Sequence, residues 1–437
     1  MKAVMRDKEE LKFSEIEWIG QIPQHWHTKN IKYHFDVIAG ATPDSKNPEY
    51  WDGDITWVTP ADYRTEDKYV KHGKRSLSLA GYQACSASLT PKGSIIFSKR
   101  APIGTVALST TELCTNQGCL ACVPKASVNS TYYYYVMSIA TEEFELKGSG
   151  TTFKEISANN FLNTKLPCPS YEEQQVIANY LDDRCAKIDA VIAEAKASIE
   201  EYKELRYATI SDIMKKGFTP KKELKDSGIE WFGKIPADTE IVKMKNVATI
   251  VDCKNRTADN ILDGEYTVVR TSCIKDGKFS LIGSYSTNKD NYLEWTERGK
   301  PQEGDIFFTR EAPAGEACLV PDMDNICMGQ RVMYFRPNKD MDSLYILYSI
   351  YSELCRVYID KRTKGSTVGH LKLGDVDCLP IIKRPIDEQK EISAFLRDRL
   401  ISIDGLISEK QSLIEDLESY KKSLIYEIVT GKRKVVA

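Results

Sequence analysis

Ser14-Glu-Ile-Glu-Trp18-Ile-Gly20-Gln-Ile-Pro23 returns as Ser227-Gly-Ile-Glu-Trp231-Phe-Gly233-Lys-Ile-Pro236, with the two tryptophans 213 positions apart. A second block, Gly93-Ser-Ile-Ile-Phe-Ser-Lys-Arg-Ala-Pro102-Ile-Gly104, returns as Gly304-Asp-Ile-Phe-Phe-Thr-Arg-Glu-Ala-Pro313-Ala-Gly315 at a spacing of 211. Leu166-Pro167 returns as Leu379-Pro380 after 213 positions; Glu173-Gln174 and Ile188-Asp189 return as Glu388-Gln389 and Ile403-Asp404 after 215. Separate blocks share one spacing, close to half of the 437 residues, so the chain is two tandem copies of one unit. The unit is far longer than a solenoid repeat, which makes each copy a domain with an appendage.

The appendage is a long helix. From Glu172 to Lys216 there is no Gly or Pro, and apolar residues fall at Ile188, Ile192, Ile199, Tyr202 and Ile213 in alternating steps of four and three. Ala195 continues the row, and Arg206 and Thr209 interrupt it. The second copy repeats the pattern with Ile403, Ile407, Ile414, Leu417, Leu424 and Ile428, interrupted by Lys410 and Lys421. A 3.5-residue period is a coiled-coil seam, and two such helices related by a pseudo-twofold axis must run antiparallel. Gly217 and Gly431 are natural C-terminal stops.

The rest of each copy holds the prolines, most of the glycines and short β-like runs: Thr56-Trp-Val-Thr, Ser94-Ile-Ile-Phe-Ser and Tyr266-Thr-Val-Val-Arg270. One helical piece interrupts each, Tyr132–Ala140 behind Ser130-Thr131 and Tyr345–Tyr351 behind Asp342-Ser343. The expected fold is α+β: strand-rich domains at 1–170 and 218–384, and spacer helices at 171–217 and 385–437 forming an antiparallel coiled coil.

Composition is that of a globular protein, 42% apolar and 28% charged, with no apolar run of membrane-spanning length. The N-terminus is charged and lacks the apolar core of a secretory signal, and twelve thinly spread cysteines read as reduced thiols, so a cytoplasmic location is expected. Net charge is −3, carried by the helices; residues 1–170 sum to +1 and residues 218–384 to 0. The globular segments nonetheless hold local basic clusters, which is where nucleic acid would be met.

Those clusters supply the candidate DNA contacts. In the first copy they are Arg64, Lys71, Lys74, Arg75, Lys99, Arg100, Thr151, Thr152 and Lys154. In the second they are Lys254, Arg256, Arg270, Arg310, Lys361, Arg362, Lys364, Thr367 and His370. Lys147-Gly-Ser-Gly-Thr-Thr-Phe-Lys154 and Lys364-Gly-Ser-Thr-Val-Gly-His370 are matching Gly/Ser/Thr loops, able to bring N–H and hydroxyl donors close to a phosphate backbone. Arg100 and Arg310 stand beside equivalent strands and are expected to meet phosphate.

Catalytic signatures do not accumulate. There is no phosphate-binding Gly-x-x-x-x-Gly-Lys-Ser/Thr loop, and Asn47-Pro-Glu-Tyr50 departs from the Asn-Pro-Pro-Tyr of adenine methyltransferases at Glu49. Cys119-x-x-Cys122 lacks a second pair and reads better as buried strand than as a zinc site; no metal site is expected. The run Tyr132–Tyr135 reads as helix packing ahead of base stacking.

Ile16–Pro23, Gly40-Ala-Thr-Pro43, Tyr50-Trp-Asp-Gly-Asp-Ile-Thr-Trp57, Gln174–Leu181 through Ile188-Asp189, and Glu388–Leu396 through Ile403-Asp404 resemble the specificity subunits of type I restriction-modification systems. The resemblance covers nearly the whole chain. It departs where Ala237-Asp-Thr-Glu240 stands against Gln24-His-Trp26. It implies two target recognition domains reading double-stranded DNA as an asymmetric bipartite target. It also implies assembly with two modification (methyltransferase) subunits and with restriction (translocase/nuclease) subunits. Catalysis, with S-adenosylmethionine, ATP and Mg2+, would reside in those partners, leaving this chain without cofactor or catalytic residue. The other readings are a self-contained methyltransferase or nuclease, which needs a cofactor or metal site, and a coiled-coil scaffold without DNA affinity.

Overall fold

The computed structural model describes residues 1–150, 154–218, 223–364 and 369–436. The chain forms two compact units, Met1–Ala195 with Ser412–Ala437, and Lys196–Gln411. Each unit joins one globular domain to half of each long helix, so compactness does not follow the chain-order boundaries expected at 170, 217 and 384. The reason is the packing of the long helices, whose apolar stripes are buried partly against each other and partly in the domain cores.

The first long helix is Tyr171–Lys216 and the second Ile386–Val429. In the first unit Ile188, Ile192, Ile414, Leu424 and Ile428 are buried and Leu417 is half-buried. In the second, Ile199 and Ile403 are buried while Tyr202, Ile213 and Ile407 pack on the same core. In the first unit the start of one helix lies along the end of the other; in the second unit the pairing is reversed. The helices are therefore antiparallel. Two cations that interrupt the apolar row are matched across the pair: Lys421 Nζ lies 2.6 Å from Asp189, and Arg206 Nε lies 3.4 Å from Asp404. Gly217 and Gly431 end the helices at φ +69° and +75°, left-handed conformations that cost glycine nothing. Beyond Gly431 the chain leaves helix: Arg433–Val436 pairs antiparallel with Lys2–Met5, Val435 opposite Ala3. The helix stops at the glycine expected from the sequence, and the last residues of the segment 385–437 add a strand, where the β-branched Val435 and Val436 find an edge to pair with.

Each globular domain is built on a mostly antiparallel sheet. In the first unit its order is Phe35–Ala39, Cys119–Pro124, Ile95–Ser98, Val106–Ser109, Tyr69–Val70, with Ala121 opposite Ile96. A second sheet places Trp51–Val58 between Cys114–Thr115 and Arg75–Leu77. The second unit repeats the plan: Ala248–Val251, Val332–Pro337, Ile306–Thr309, Ala317–Leu319, then Tyr266–Val269 between Tyr285–Thr287 and Ile326–Met328. Ile95–Ser98 and Ile306–Thr309 are wholly buried, as their continuous apolar runs require.

The helix Ser130–Ile139 is capped by Asn129, whose side chain accepts from Tyr132 N, and Asp342 caps Ser343–Tyr351 in the same way. Tyr132 and Tyr133 are fully buried, and Tyr132 donates to Val429 O at 3.0 Å, tying the domain to the end of the second long helix. One helix per domain understates the count. Leu79–Ala84, Thr141–Leu146 and Ala158–Leu162 are also helical, as are Lys289–Trp295, Glu353–Thr363 and Leu373–Asp377. Most are too short to show an apolar period in sequence.

Two measurements test this packing. Ile414 is 3% exposed and its neighbour Leu413 39%. Ile414→Ala is expected to cost about 2–4 kcal/mol in urea unfolding, and Leu413→Ala under about 1 kcal/mol. The second concerns His34, which is buried against the Tyr133 hydroxyl at 2.9 Å. Burial, and then the charge of Lys29, lowers its pKa from 6.5 to about 4. The unfolded chain thus binds this proton first, and stability falls as pH drops from about 6.5 toward about 4. Between pH 7 and 5 the wild type should lose about 2 kcal/mol more than His34→Gln.

Candidate nucleic-acid interface

Three neighbouring strands of the first sheet bring their loops to one end. Phe35–Ala39 finishes there, Cys119–Pro124 begins there and Ile95–Ser98 finishes there, because adjacent strands are antiparallel. The loops after Ala39, before Cys119 and after Ser98 form a rim. A Cβ on Gly40 would lie 2.1 Å from Asn116 O, so only glycine lets the first two loops touch. The Thr42 hydroxyl donates to the Gln117 side-chain oxygen, and Lys99 N donates to Gly118 O at 3.0 Å. Glu155 and Ile156 complete the rim: Ile156 N donates to Lys99 O, and Glu155 pairs with Lys99 and with Arg100, each at 2.8 Å. Lys99, then Arg100, hold the Glu155 carboxyl below the usual carboxylate range.

The second unit builds the same rim with different side chains. Thr257 donates to Gln330 at 3.2 Å, as Thr42 does to Gln117. Arg310 N donates to Arg331 O at 3.1 Å, and Leu371 N donates to Arg310 O at 3.0 Å. Both Ala101–Pro102 and Ala312–Pro313 are cis. The charges, however, are rearranged. Where the first unit sets Arg100 against Glu155, the second sets Glu311 against His370, with 3.6 Å between Oε2 and Nδ1. Gly118 is replaced by Arg331, whose Nε is 2.6 Å from Glu311.

Among the residues expected from sequence, Lys99, Arg100, Lys154, Arg310 and His370 lie at these rims. Thr151, Thr152 and Thr367 lie outside the described residues. Arg310 differs from Arg100 in environment: its side chain is 13% exposed, with Nη1 2.7 and 2.9 Å from the Asp252 oxygens, whereas Arg100 is 48% exposed. Arg310 thus clamps two loops together. Lys254 and Arg256 are drawn to Glu294 beside Trp295.

Arg64, Lys71, Lys74 and Arg75 flank the Thr59–Asp62 turn, which adjoins the rim through Asn116 N donating to Val58 O. Arg75 stacks 3.5 Å over the Trp51 ring and Lys74 N donates to Asp62. Arg270 is exposed at the matching turn of the second unit, where Gly329 N donates to Val269 O. Lys361 and Arg362 stand apart on the helix Glu353–Thr363, over Trp231 and beside Asp375, with Lys364 exposed just after it. The sequence reading missed the paired Thr42–Gln117 and Thr257–Gln330 and the cation Arg331. The repeat spacing, 213 between the glutamines and 215 between the threonines, was a signal for the first two.

Cys114, Cys119 and Cys122 are core residues. Burial pushes the Cys114 and Cys119 thiols up to about 12. Among the described residues no group of three His, Cys, Asp or Glu is placed to hold a metal ion, and no helix is long and apolar enough to cross a membrane.

A family model described as the type I restriction modification DNA specificity domain matches twice, over residues 23–201 and 236–416. The chain belongs to this family. A stretch of 180 residues is similar to the type I restriction enzyme MjaIX specificity subunit of Methanocaldococcus jannaschii, at 41% identity. That match covers 40% of this chain and 41% of the relative, less than half of either. The MjaVIII specificity subunit of the same organism is 25% identical over 314 residues, covering 70% of this chain and 71% of its own length. A solved chain from work on complex assembly and conformational transition of the type I R-M system shares the fold. Its TM-score is 0.70 at 15% identity, over 94% of this chain and 99% of that one.

The contrast between the two arginines is measurable. Arg310→Ala should cost about 2 kcal/mol of stability, as expected for losing a sheltered charged hydrogen bond. Arg100→Ala should stay within about 0.5 kcal/mol of wild type in the same denaturant titration.

Proposed function

We propose that this chain is the DNA-reading subunit of a cytoplasmic type I restriction-modification complex, each specificity domain recognising one half of an asymmetric, bipartite double-stranded target. One observation carries the reading: a single loop scaffold occurs twice with different charges mounted on it. Identical rims would select identical half-sites. Arg100 with Glu155 in one unit and Arg331, Glu311 and His370 in the other present different donor and acceptor patterns, which is what base edges in the major groove discriminate. Exposed cations such as Arg100 supply phosphate contacts that position the protein without specifying sequence.

Methyl transfer and cleavage belong, in this proposal, to two modification subunits and to restriction subunits, which bring S-adenosylmethionine, ATP and Mg2+. The antiparallel helices join the two reading domains and offer exposed faces to those partners.

The test is the methylated motif in cells expressing this chain with its cognate modification subunit. An asymmetric motif split by unread base pairs is expected. Arg100→Ala should weaken DNA binding for all sequences and reduce the salt slope by about one. A palindromic motif, or methyl transfer by the isolated chain supplied with S-adenosylmethionine, would overturn the reading.

A further inference from the structure

The rim position that differs most between the two units is Gly118 against Arg331. In the first unit the loop leaves only a tight fit for a side chain there. A Cβ on Gly118 would lie 3.1 Å from Asn116 Oδ1 and 3.2 Å from Pro60, and the Gly118 N–H is held by that same Oδ1 at 2.9 Å. The second unit has removed the obstacle and takes a different backbone conformation at this position. Gly329 stands where Asn116 does, the Arg331 N–H turns instead to Cys253 Sγ at 3.2 Å, and Arg331 O still accepts from Arg310. Arg331 itself sits at φ +76°, a left-handed conformation that a long side chain rarely adopts. Backbone strain of this kind persists where the surrounding structure enforces it, and it clusters at functional sites.

The Arg331 side chain is 46% exposed, and its Nε lies 2.6 Å from Glu311 Oε1. Glu311 is in turn sheltered, at 21% exposure, and backed by His370. This arrangement orients the guanidinium and leaves its terminal N–H groups without a hydrogen-bond partner among the described residues. Gln330, positioned by Thr257, is the adjacent residue. Arginine's planar fork matches the O6 and N7 of guanine, and a neighbouring carboxylate that fixes the fork's direction favours such directed bidentate recognition.

Resting on the DNA-reading function above, we propose that Arg331 is a specificity-determining residue that reads a guanine in the half-site of the Lys196–Gln411 unit, with Glu311 as its positioning residue. The first unit, with Gly118 in its place, makes no such contact. Arg331 is therefore one source of the target's asymmetry.

The experiment is selection of double-stranded DNA from a randomised pool by the full chain, comparing wild type with Arg331→Gly and Arg331→Gln. Glycine suits the positive φ, and glutamine keeps a side chain while removing the charge, so either variant alone suffices if the other fails to fold. Wild type should enrich guanine at one position of one half-site. Both variants should lose at least about tenfold of that preference, with the remaining positions of both half-sites unchanged. Glu311→Gln should weaken the same preference and no other. An unaltered motif in the Arg331 variants overturns the assignment. So does uniform weakening with a salt slope reduced by about one, which would make Arg331 a phosphate contact. If the wild type enriches no sequence at all, the DNA-reading function itself is wrong, and the role of Arg331 falls with it.

Discussion

The buried seam of the two long helices organises the rest of the molecule. Ile392, Leu396 and Leu400 of the second helix pack into the core of its own domain, but seam residues such as Ile188, Ile192, Ile414 and Leu424 would each forgo roughly 1.5–3 kcal/mol if left in water. Antiparallel pairing solves this in both units with the same chemistry. Even the polar interruptions obey it: Arg206 and Lys421 occupy equivalent places and find equivalent aspartates, Asp404 and Asp189. Once the seam closes, the first domain is fastened to the end of the second long helix by Tyr132 on Val429 O and by the terminal strand pair that sets Val435 beside Ala3.

Duplication separates scaffold from chemistry without any alignment of relatives. What the two rims share, such as the Thr–Gln pairs and the hydrogen bonds from Lys99 N and Arg310 N, is what the loop needs in order to stand. What they do not share is free to differ in function. The exchange of Arg100 and Glu155 for Glu311 and His370 changes the local charge pattern at equivalent places on the rim. A chain of this build can change the charges on a rim by exchanging a few side chains while the sheets and the seam stay as they are.

The sequence alone determined the tandem repeat, the α+β class, the two helices and their stops at Gly217 and Gly431, because these are local or periodic properties. A 3.5-residue apolar period, a glycine needing φ > 0 and a recurring motif are each visible in one dimension. It also led to most of the basic loops, since charge is written in composition.

Only the tertiary structure decided which cations are free to meet DNA. Arg100 and Arg310 look equivalent in sequence. Yet Arg310 is held by Asp252, 58 residues away in the chain, and Arg100 remains half exposed. Lys254 and Arg256 likewise meet Glu294 from a separate helix. The terminal strand pair and the many short helices were equally illegible, because their partners are remote and their own periods too brief. Arg331 is the clearest case. Nothing in Gly329-Gln-Arg331 announces a strained, exposed guanidinium, since strain and exposure arise only when the surrounding loops converge at the end of the sheet.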